Sequence, residues 1–323
     1  MHASAETAAS SEAKSPERGG RVRAAWAVIK ETASDWEEDK AATLAAALAY
    51  YTLLSIAPMI VLAVAVAGLA FGDDAARGQI SEQIGTLVGA EAGESIEAIA
   101  ENAKAPDSGV LSTIIGLVVL LFGASGVFGE LQSSLNTIWE VEPKPGRGVL
   151  GMVKDRFFSF TMVLGVAFLL MVSMVLSAAI SSVGTFLESS LPGGEVLWTV
   201  LNFAISLGVI TLLFALIYKV IPDAKIQWRD VWVGAAVTAT LFTIGKLLVG
   251  LYLGKSTFVS SYGAAGSVVA LVVWVYYSSQ IVFLGAEFTQ VYARRFGSHI
   301  EPSKNAVRTE DARETADQKN ASV

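Results

Sequence analysis

Long apolar runs separated by short polar segments dominate the chain between residues 41 and 292. A helix needs about 20 apolar residues to cross the hydrocarbon core of a bilayer. Six runs reach this length, and none shows the alternating polarity of a membrane-spanning strand. The pattern therefore predicts an all-α polytopic membrane protein, a bundle of six transmembrane helices. The predicted membrane domain covers residues 21–296, with spans at about 41–71, 110–131, 157–187, 196–221, 231–253 and 262–292.

The segments that flank the apolar runs have patterns of their own. Apolar residues recur at helical spacing from Val22 to Trp36, which predicts an amphipathic helix on the membrane interface before the first span. Similar spacing predicts short amphipathic helices in the acidic first outer loop, between residues 72 and 109. The polar residues 1–20 and 297–323 predict disordered tails.

Positive charge is distributed unequally between the two sides of the predicted bundle. Of the 23 Lys and Arg residues, 19 lie in the N-terminal tail, in the second and fourth connections and in the C-terminal tail. These four segments fall on the same side of a six-span bundle, and an excess of Lys and Arg marks the cytoplasmic side. We therefore predict that both termini are cytoplasmic.

Composition excludes several kinds of chemistry. The chain contains no cysteine, which excludes disulfides, thiolate metal sites and cysteine nucleophiles. The two histidines, His2 and His299, lie in the predicted tails, and no phosphate-loop, zinc-protease or serine-hydrolase motif occurs. The net charge of -7 argues against a nucleic-acid partner. The sequence therefore predicts a protein that is not an enzyme and that carries no cofactor and no catalytic metal.

Two polar residues, Gln280 and Glu287, lie seven positions apart in the sixth predicted span. This spacing places them on one helix face, and a polar face is expected to turn away from lipid. Gln280 is expected near the middle of the membrane and Glu287 nearer the cytoplasm. Glu287 either lines a polar cavity for a ligand or a proton, or serves as a structural group at a helix contact, and the spacing leaves both interpretations open.

Other polar residues are predicted within or next to spans. Glu130 ends the second span at a depth similar to that of Glu287, with Asn136 nearer the interface. Two carboxyls at one depth would form a proton site if their helices met, whereas apart they would be unrelated helix-end groups. Lys246 is the one basic residue within a predicted span, and it either snorkels to the interface, pairs with an inward carboxyl or holds an anionic ligand. Tyr50 either anchors the chain at the interface or lines a cavity.

Four stretches of the sequence resemble a known family. They are "AAALAYYTLLSIAPM", "LNTIWEV", "YKVIPDAKIQWRDVWVGA" and "YGAAGSVVALVVWVYYSSQIVFLGAEFTQVYA", in this order. Across residues 22–296 the chain resembles the YihY/virulence factor BrkB family of bacterial inner-membrane proteins. The resemblance implies six spans and a location in the bacterial inner (plasma) membrane. Members have been labelled ribonuclease BN, a label that does not fit an acidic chain without a plausible catalytic metal-ligand cluster.

Two classes of function follow from these patterns. The first is a transporter or flippase-like protein for an envelope lipid or a small solute, with membrane lipids around it. The second is a structural or assembly protein of the cell envelope, for which the amphipathic helices and basic tails would be contact surfaces. The pattern does not fix the oligomeric state. The residues predicted to line a polar transport cavity are Glu130, Asn136, Lys246, Gln280, Glu287 and Tyr50.

Overall fold

The computed structural model describes residues 16–72, 77–78, 80–81, 123, 126–144, 194–255, 266–298 and 300–321. The helices are α1 (Pro16–Glu38), α2 (Ala41–Phe71), α3 (residues 126–138), α4 (Gly194–Val220), α5 (Trp228–Lys255), α6 (Gly266–Phe296) and α7 (Thr309–Ala321). The strands are β1 (Val141–Pro143), β2 (Ala224–Lys225), β3 (Glu301–Pro302) and β4 (Ala306–Arg308). The third predicted span and most of the second lie outside the described residues, as does most of the first outer loop.

Three helices in the described part of the chain are long and apolar enough to cross a membrane. They are Thr199–Val220, Trp228–Val249 and Val268–Phe296, within α4, α5 and α6. Helix α2 has the bounds predicted for the first span, and its Ala41–Ile56 portion is a shorter apolar segment. The structure therefore supports a helical membrane protein with three candidate spans among the described residues, and the count of six stays a prediction.

Helices α5 and α6 approach closely because two glycines face two threonines across their contact. Gly234 lies opposite Thr289, and Gly285 lies opposite Thr238, so that a Cβ atom added at either glycine would overlap the threonine hydroxyl. Each hydroxyl donates within its own helix, from Thr238 to the Gly234 carbonyl at 2.8 Å and from Thr289 to the Gly285 carbonyl at 2.6 Å. Small residues let helix backbones approach in lipid, where dispersion contacts replace the hydrophobic effect between helices.

The buried core lies where α4 ends and α5 begins. Tyr218 is fully buried there, and its hydroxyl donates to the Val282 carbonyl at 2.7 Å and lies 3.0 Å from the Thr238 hydroxyl. Leu135 and Trp139, from the α3 end, join the same core. This cluster joins α3, α4, α5 and α6 at one end of the bundle, the end at which the polar residues described below collect.

The exposed surfaces of α4 and α5 are apolar. Helix α4 exposes a row of large side chains, which a bilayer would cover in a membrane protein. They are Val196, Val200, Leu201, Phe203, Leu212 and Leu213. The same holds for Leu241, Ile244, Leu247 and Leu248 on α5.

The segment after α6 contains β3, β4 and α7, where composition predicts a disordered tail. Strand β4 pairs antiparallel with β1, with Arg308 opposite Val141, and β3 pairs antiparallel with β2, with Pro302 opposite Ala224. The described part of the chain is therefore mostly helical, as predicted, with two small sheets in addition. Strands of two or three residues show no periodicity, and they form because distant backbone groups offer hydrogen-bond partners.

Helix α1 packs against α6 and α2. Val28 and Thr32 are buried on the packed face, whereas Trp26 and Ile29 are exposed. The exposed pair belongs to the face that the sequence pattern assigns to the membrane interface. The interfacial position of α1 remains a prediction.

Candidate functional site

A cavity of about 1100 Å³ opens at the polar end of the bundle. Helix α3 lines it from end to end, because Gly126, Glu130, Ser133 and Asn136 recur every three or four residues and share a helix face. Tyr51 of α2 lies on the same wall. Residues of α1, α6 and α7 complete the lining, so the cavity reaches from the membrane helices to the C-terminal segment.

Carboxylates outnumber basic groups around the cavity. Eight acidic side chains and two arginines line it among the described residues. Like charges in a cleft with low-dielectric walls focus the electrostatic potential and raise the local concentration of counter-ions. The cavity should therefore attract cations and repel anions. The acidic residues are Asp35, Glu38, Asp39, Glu130, Glu140, Glu142, Asp223 and Glu310, and the arginines are Arg294 and Arg313.

Arg294 holds part of this acidic cluster together. Its guanidinium lies 2.5 Å from Glu31 Oε1, 2.8 Å from Asp35 Oδ2 and 3.8 Å from Glu140 Oε1. Arg295 pairs with Glu31 as well. Burial opposes the charged form of Glu31, but the hydrogen bonds from Arg295 and Arg294 outweigh burial and lower the pKa of Glu31. These ion pairs tie α1 to the end of α6.

Two left-handed turns place acidic residues on the cavity wall. In the part of the chain that the structure describes, Lys40 (φ 53°) and Glu140 (φ 54°) are the non-glycine residues with positive φ. This backbone conformation costs a non-glycine residue about 1–2 kcal/mol and persists only where surrounding contacts impose it. Lys40 separates α1 from α2 and follows Asp39. Glu140 follows α3 and accepts a hydrogen bond from Gln290 Nε2 at 3.2 Å.

Glu287 is wholly buried on α6, one turn before Gln290. Within the described residues, neither Glu287 oxygen has a hydrogen-bond partner, and the same holds for Gln290 Oε1. The groups that act on Glu287 through their charges are Asp39, Asp35 and Glu140, all acidic. The Asp39 and Glu287 side chains lie against each other, and no other described side chain donates a hydrogen bond to the Glu287 oxygens.

Asp39 is a cavity carboxyl whose pKa is raised toward neutral pH. Burial, followed by the negative charges of Glu140 and Asp35, raises the pKa of Asp39 to about 6. The ordinary pKa of this side chain is 3.8. Asp39 therefore changes charge between mildly acidic and neutral pH.

Asp39→Asn is expected to stabilise the protein at neutral pH. The folded state binds the Asp39 proton more tightly than the unfolded chain does. Its contribution to the free energy of unfolding is therefore fully present below about pH 4 and is lost as the pH rises through 6. Because Asp39 is only half-buried, solvent screening reduces the expected gain at pH 7.5 to about 1 kcal/mol.

Thermal unfolding at pH 5 and pH 7.5 measures this effect. We expect Tm to rise by about 3 °C at pH 7.5 and by much less at pH 5. Glu301→Gln, at an exposed carboxyl of β3 outside the cavity, is the control and should leave Tm unchanged at both pH values. An equal change at both pH values would contradict the assignment of the shifted pKa to Asp39.

The structure brings three of the six predicted site residues into this region. Glu130 and Asn136 line the cavity, and Glu287 lies behind its α6 wall. Asn136 also has a structural role, since its Nδ2 donates to Asp223 Oδ2 at 3.1 Å and its Oδ1 accepts from the Asp223 backbone N–H at 2.7 Å. The carboxyls that act on Glu287 come from α1 and from the turns after α1 and α3, and Glu130 is not among them, which favours the alternative in which Glu130 and Glu287 are unrelated.

The other three predicted residues lie away from the cavity. Lys246 on α5 and Gln280 on α6 are half-buried and do not line it. Tyr50 is 60% exposed and packs edge-to-face against Tyr51, with ring centroids 6.0 Å apart. Tyr51, its neighbour in sequence, is the tyrosine that lines the cavity.

The acidic residues at the end of α1 are the part of the site that sequence reasoning missed. Asp35, Glu38 and Asp39 belong to the run "DWEEDK", directly before the first span. An interfacial helix is typically rich in Lys and Arg next to anionic lipid headgroups. A dense acidic run in that position was the available signal for a polar cavity. No group of three or more acidic or histidine side chains among the described residues is arranged to hold a metal ion.

Comparison with known proteins identifies one family of membrane proteins. Residues 32–310 match the family described as "Virulence factor BrkB". A UPF0761 membrane protein of Tolumonas auensis is 36% identical over 183 residues, which cover 55% of this chain and 57% of the relative. A UPF0761 membrane protein of Aeromonas salmonicida is 30% identical, over 79% of this chain and 85% of the relative.

A third relative has an enzyme term in its name. The Bacillus subtilis "ribonuclease-like protein YfkH" is 24% identical, over 83% of this chain and 95% of the relative. The chain spans little more than half the length of the Tolumonas relative. No solved structure matches the chain.

Proposed function

Because this chain belongs to the virulence factor BrkB family, we propose that it is an inner-membrane transporter for a small solute. The observation that carries the proposal is the cavity of about 1100 Å³ at the polar end of the helices. Ligand sites in helical membrane proteins are polar cavities between helices, because polar groups facing lipid are costly. The cavity is large enough for a hydrated organic solute, since pockets for small molecules measure about 300–1,000 Å³.

The proposed topology has six spans, with both termini in the cytoplasm of a bacterium. The unequal distribution of Lys and Arg supports this orientation. The polar end, with α1, the two sheets and α7, then faces the cytoplasm. The cavity is the cytoplasmic part of the solute route, and Glu130 and Tyr51 mark its deeper wall.

The charge of the cavity favours a solute over an anionic lipid and over RNA. Eight acidic side chains would repel a phosphate group that enters without its own cation. RNA binding depends on neutralising phosphates with Lys and Arg, and the two arginines are too few for that role. We therefore do not extend the ribonuclease-like name of the Bacillus subtilis relative to this chain.

Access to the cavity from both sides of the membrane tests the proposal. The chain has no native cysteine, so Ser133→Cys introduces a single thiol on the cavity wall. In sealed inside-out and right-side-out vesicles, a membrane-impermeant maleimide should label this thiol quickly from the cytoplasmic side. It should label more slowly from the other side, because a transporter exposes its site alternately.

The matched control is Ala239→Cys, at a fully buried position of α5. Its thiol should react at least ten times more slowly than that of Ser133→Cys from either side. Labelling of Ser133→Cys from the cytoplasmic side alone, with and without a membrane potential, would contradict transport. That result would favour the alternative of a structural protein in envelope assembly.

A further inference from the structure

The α6 wall of the cavity holds hydrogen-bond acceptors that lack donors. Gln290 lines the cavity with 4% of its surface exposed, and its Oε1 has no partner among the described residues. Its Nε2 is engaged with Glu140. One turn earlier, both oxygens of the fully buried Glu287 lack a partner. Asp39, which lines the cavity and contacts Glu287, is a third source of acceptor oxygens.

Among the described residues, no basic side chain forms a hydrogen bond with the Glu287 oxygens or with Gln290 Oε1. Arg294 is the basic residue closest to them on α6, and its guanidinium is engaged by Glu31 and Asp35. Lys246, the basic residue predicted within a span, does not line the cavity. The acceptors are therefore in place for a positively charged group that comes from outside the chain.

We propose that the cavity binds a small organic cation with N–H donors, an ammonium group, at Gln290 and Asp39, with the buried Glu287 behind them. The proposal rests on the proposed transport function and names its substrate class. An ammonium group has three donors and no acceptor. It can donate hydrogen bonds to the Gln290 and Asp39 oxygens on the cavity wall, and its charge balances part of the negative charge of the surrounding acids.

Other cations fit the arrangement less well. Calcium takes six to eight oxygen ligands, and the described residues contain no acidic cluster arranged for a metal ion. A quaternary ammonium ion has no N–H donor and is recognised by aromatic cages. Tyr51 is the one aromatic side chain among the described lining residues, so such a cage is absent from this part of the structure.

An ammonium group can come from a soluble amine or from the amino headgroup of a lipid. Both present the same donors, and the cavity joins membrane helices to the polar end of the bundle. The chemistry at Gln290, Asp39 and Glu287 is common to the two sources. The binding experiment below separates them through the composition of the bilayer.

Calorimetric titration of the full chain in phosphatidylcholine nanodiscs tests the proposal with two matched ligands. The first is 1,6-diaminohexane and the second is hexamethonium, which has the same carbon chain and charge but no N–H group. We expect the diamine to bind at least tenfold more tightly. Glu287→Gln and Asp39→Asn should each weaken diamine binding at least tenfold. Glu301→Gln, outside the cavity, should change it less than twofold.

Equal binding of the two ligands would overturn the proposal, as would diamine binding that neither Glu287→Gln nor Asp39→Asn weakens. Thermal unfolding of each variant excludes misfolding as the cause of lost binding. Nanodiscs that contain phosphatidylethanolamine identify the source. Competition with the diamine supports an ammonium site for a lipid headgroup, and unchanged binding supports an ammonium site for a soluble amine.

The outcome is independent of the labelling experiment. Diamine binding combined with one-sided labelling of Ser133→Cys would leave the ammonium site in place and contradict transport alone. Two-sided labelling without selective diamine binding would contradict the ammonium site alone. The two results together therefore show which of the two proposals fails.

Discussion

Gly285→Ala is expected to separate α5 from α6, although it adds a single methyl group. The added Cβ atom would overlap the Thr238 hydroxyl and lie 2.6 Å from the Tyr218 hydroxyl. Neither group can move freely, because the Thr238 hydroxyl donates to Gly234 and the Tyr218 hydroxyl donates to Val282. Overpacking of a rigid contact costs about 1–3 kcal/mol, and we place this variant at about 3 kcal/mol or more.

Gly208→Ala is the matched control, because it makes the same chemical change on α4 with no atom within 4 Å of the added Cβ. Alanine is favoured over glycine in a helix by about 0.5–1 kcal/mol, so this variant should be as stable as the wild type or slightly more stable. Thermal unfolding in detergent, followed by size-exclusion chromatography, compares the two. A similar loss of monodisperse protein in both variants, or in neither, would contradict the close α5–α6 contact.

Arg294→Ala is expected to release α1 from α6. The substitution leaves Asp35 and Glu140 without their cation beside the buried Glu287, and like charges at this distance repel. Single exposed ion pairs contribute about 0–1 kcal/mol each. Because Arg294 serves several acids at once, we expect a loss of about 2 kcal/mol, concentrated in the docking of α1.

Hydrogen exchange of the α1 backbone measures this local release directly. Arg294→Lys keeps the charge but loses the planar fork of donors, so its exchange rates should lie between those of the wild type and Arg294→Ala. Arg229→Ala, at an exposed arginine of α5, should leave exchange in α1 unchanged. Unaltered protection of α1 in Arg294→Ala would show that apolar contacts at Val28 hold the helix without the ion pairs.

The helical part of the fold was predictable because lipid imposes a simple rule on sequence. A span must be apolar for about 20 residues, and α2, α4, α5 and α6 lie within a few residues of the predicted bounds. The contact between α5 and α6 was harder to predict from the sequence. Glycine is common in membrane helices, so Gly234 and Gly285 do not stand out in the sequence. Their threonine partners lie on a different helix, far away along the chain. Strands β3 and β4 depend on partners far along the chain, which local patterns do not encode.

The site was predictable only in part, for a related reason. Depth along a helix follows from sequence, so Glu130 and Glu287 could be assigned to the polar end. The direction in which each side chain points depends on how the helices rotate against one another. The structure turns Glu287 toward Asp39 of the α1–α2 turn and leaves Glu130 on the α3 wall. Gln280 shares a helix face with Glu287, yet the cavity does not extend along α6 to reach it.

Strands β3 and β4 pair with strands that are synthesised much earlier, so the two sheets form late in biogenesis. At about 5–20 residues per second, roughly ten to thirty seconds separate the synthesis of β1 from that of β4. The intervening helices therefore enter the membrane while the rim of the cavity is still missing, since Thr309, Glu310 and Arg313 follow β4. This end of the cavity can therefore close only after β4 and the residues that follow it have been synthesised.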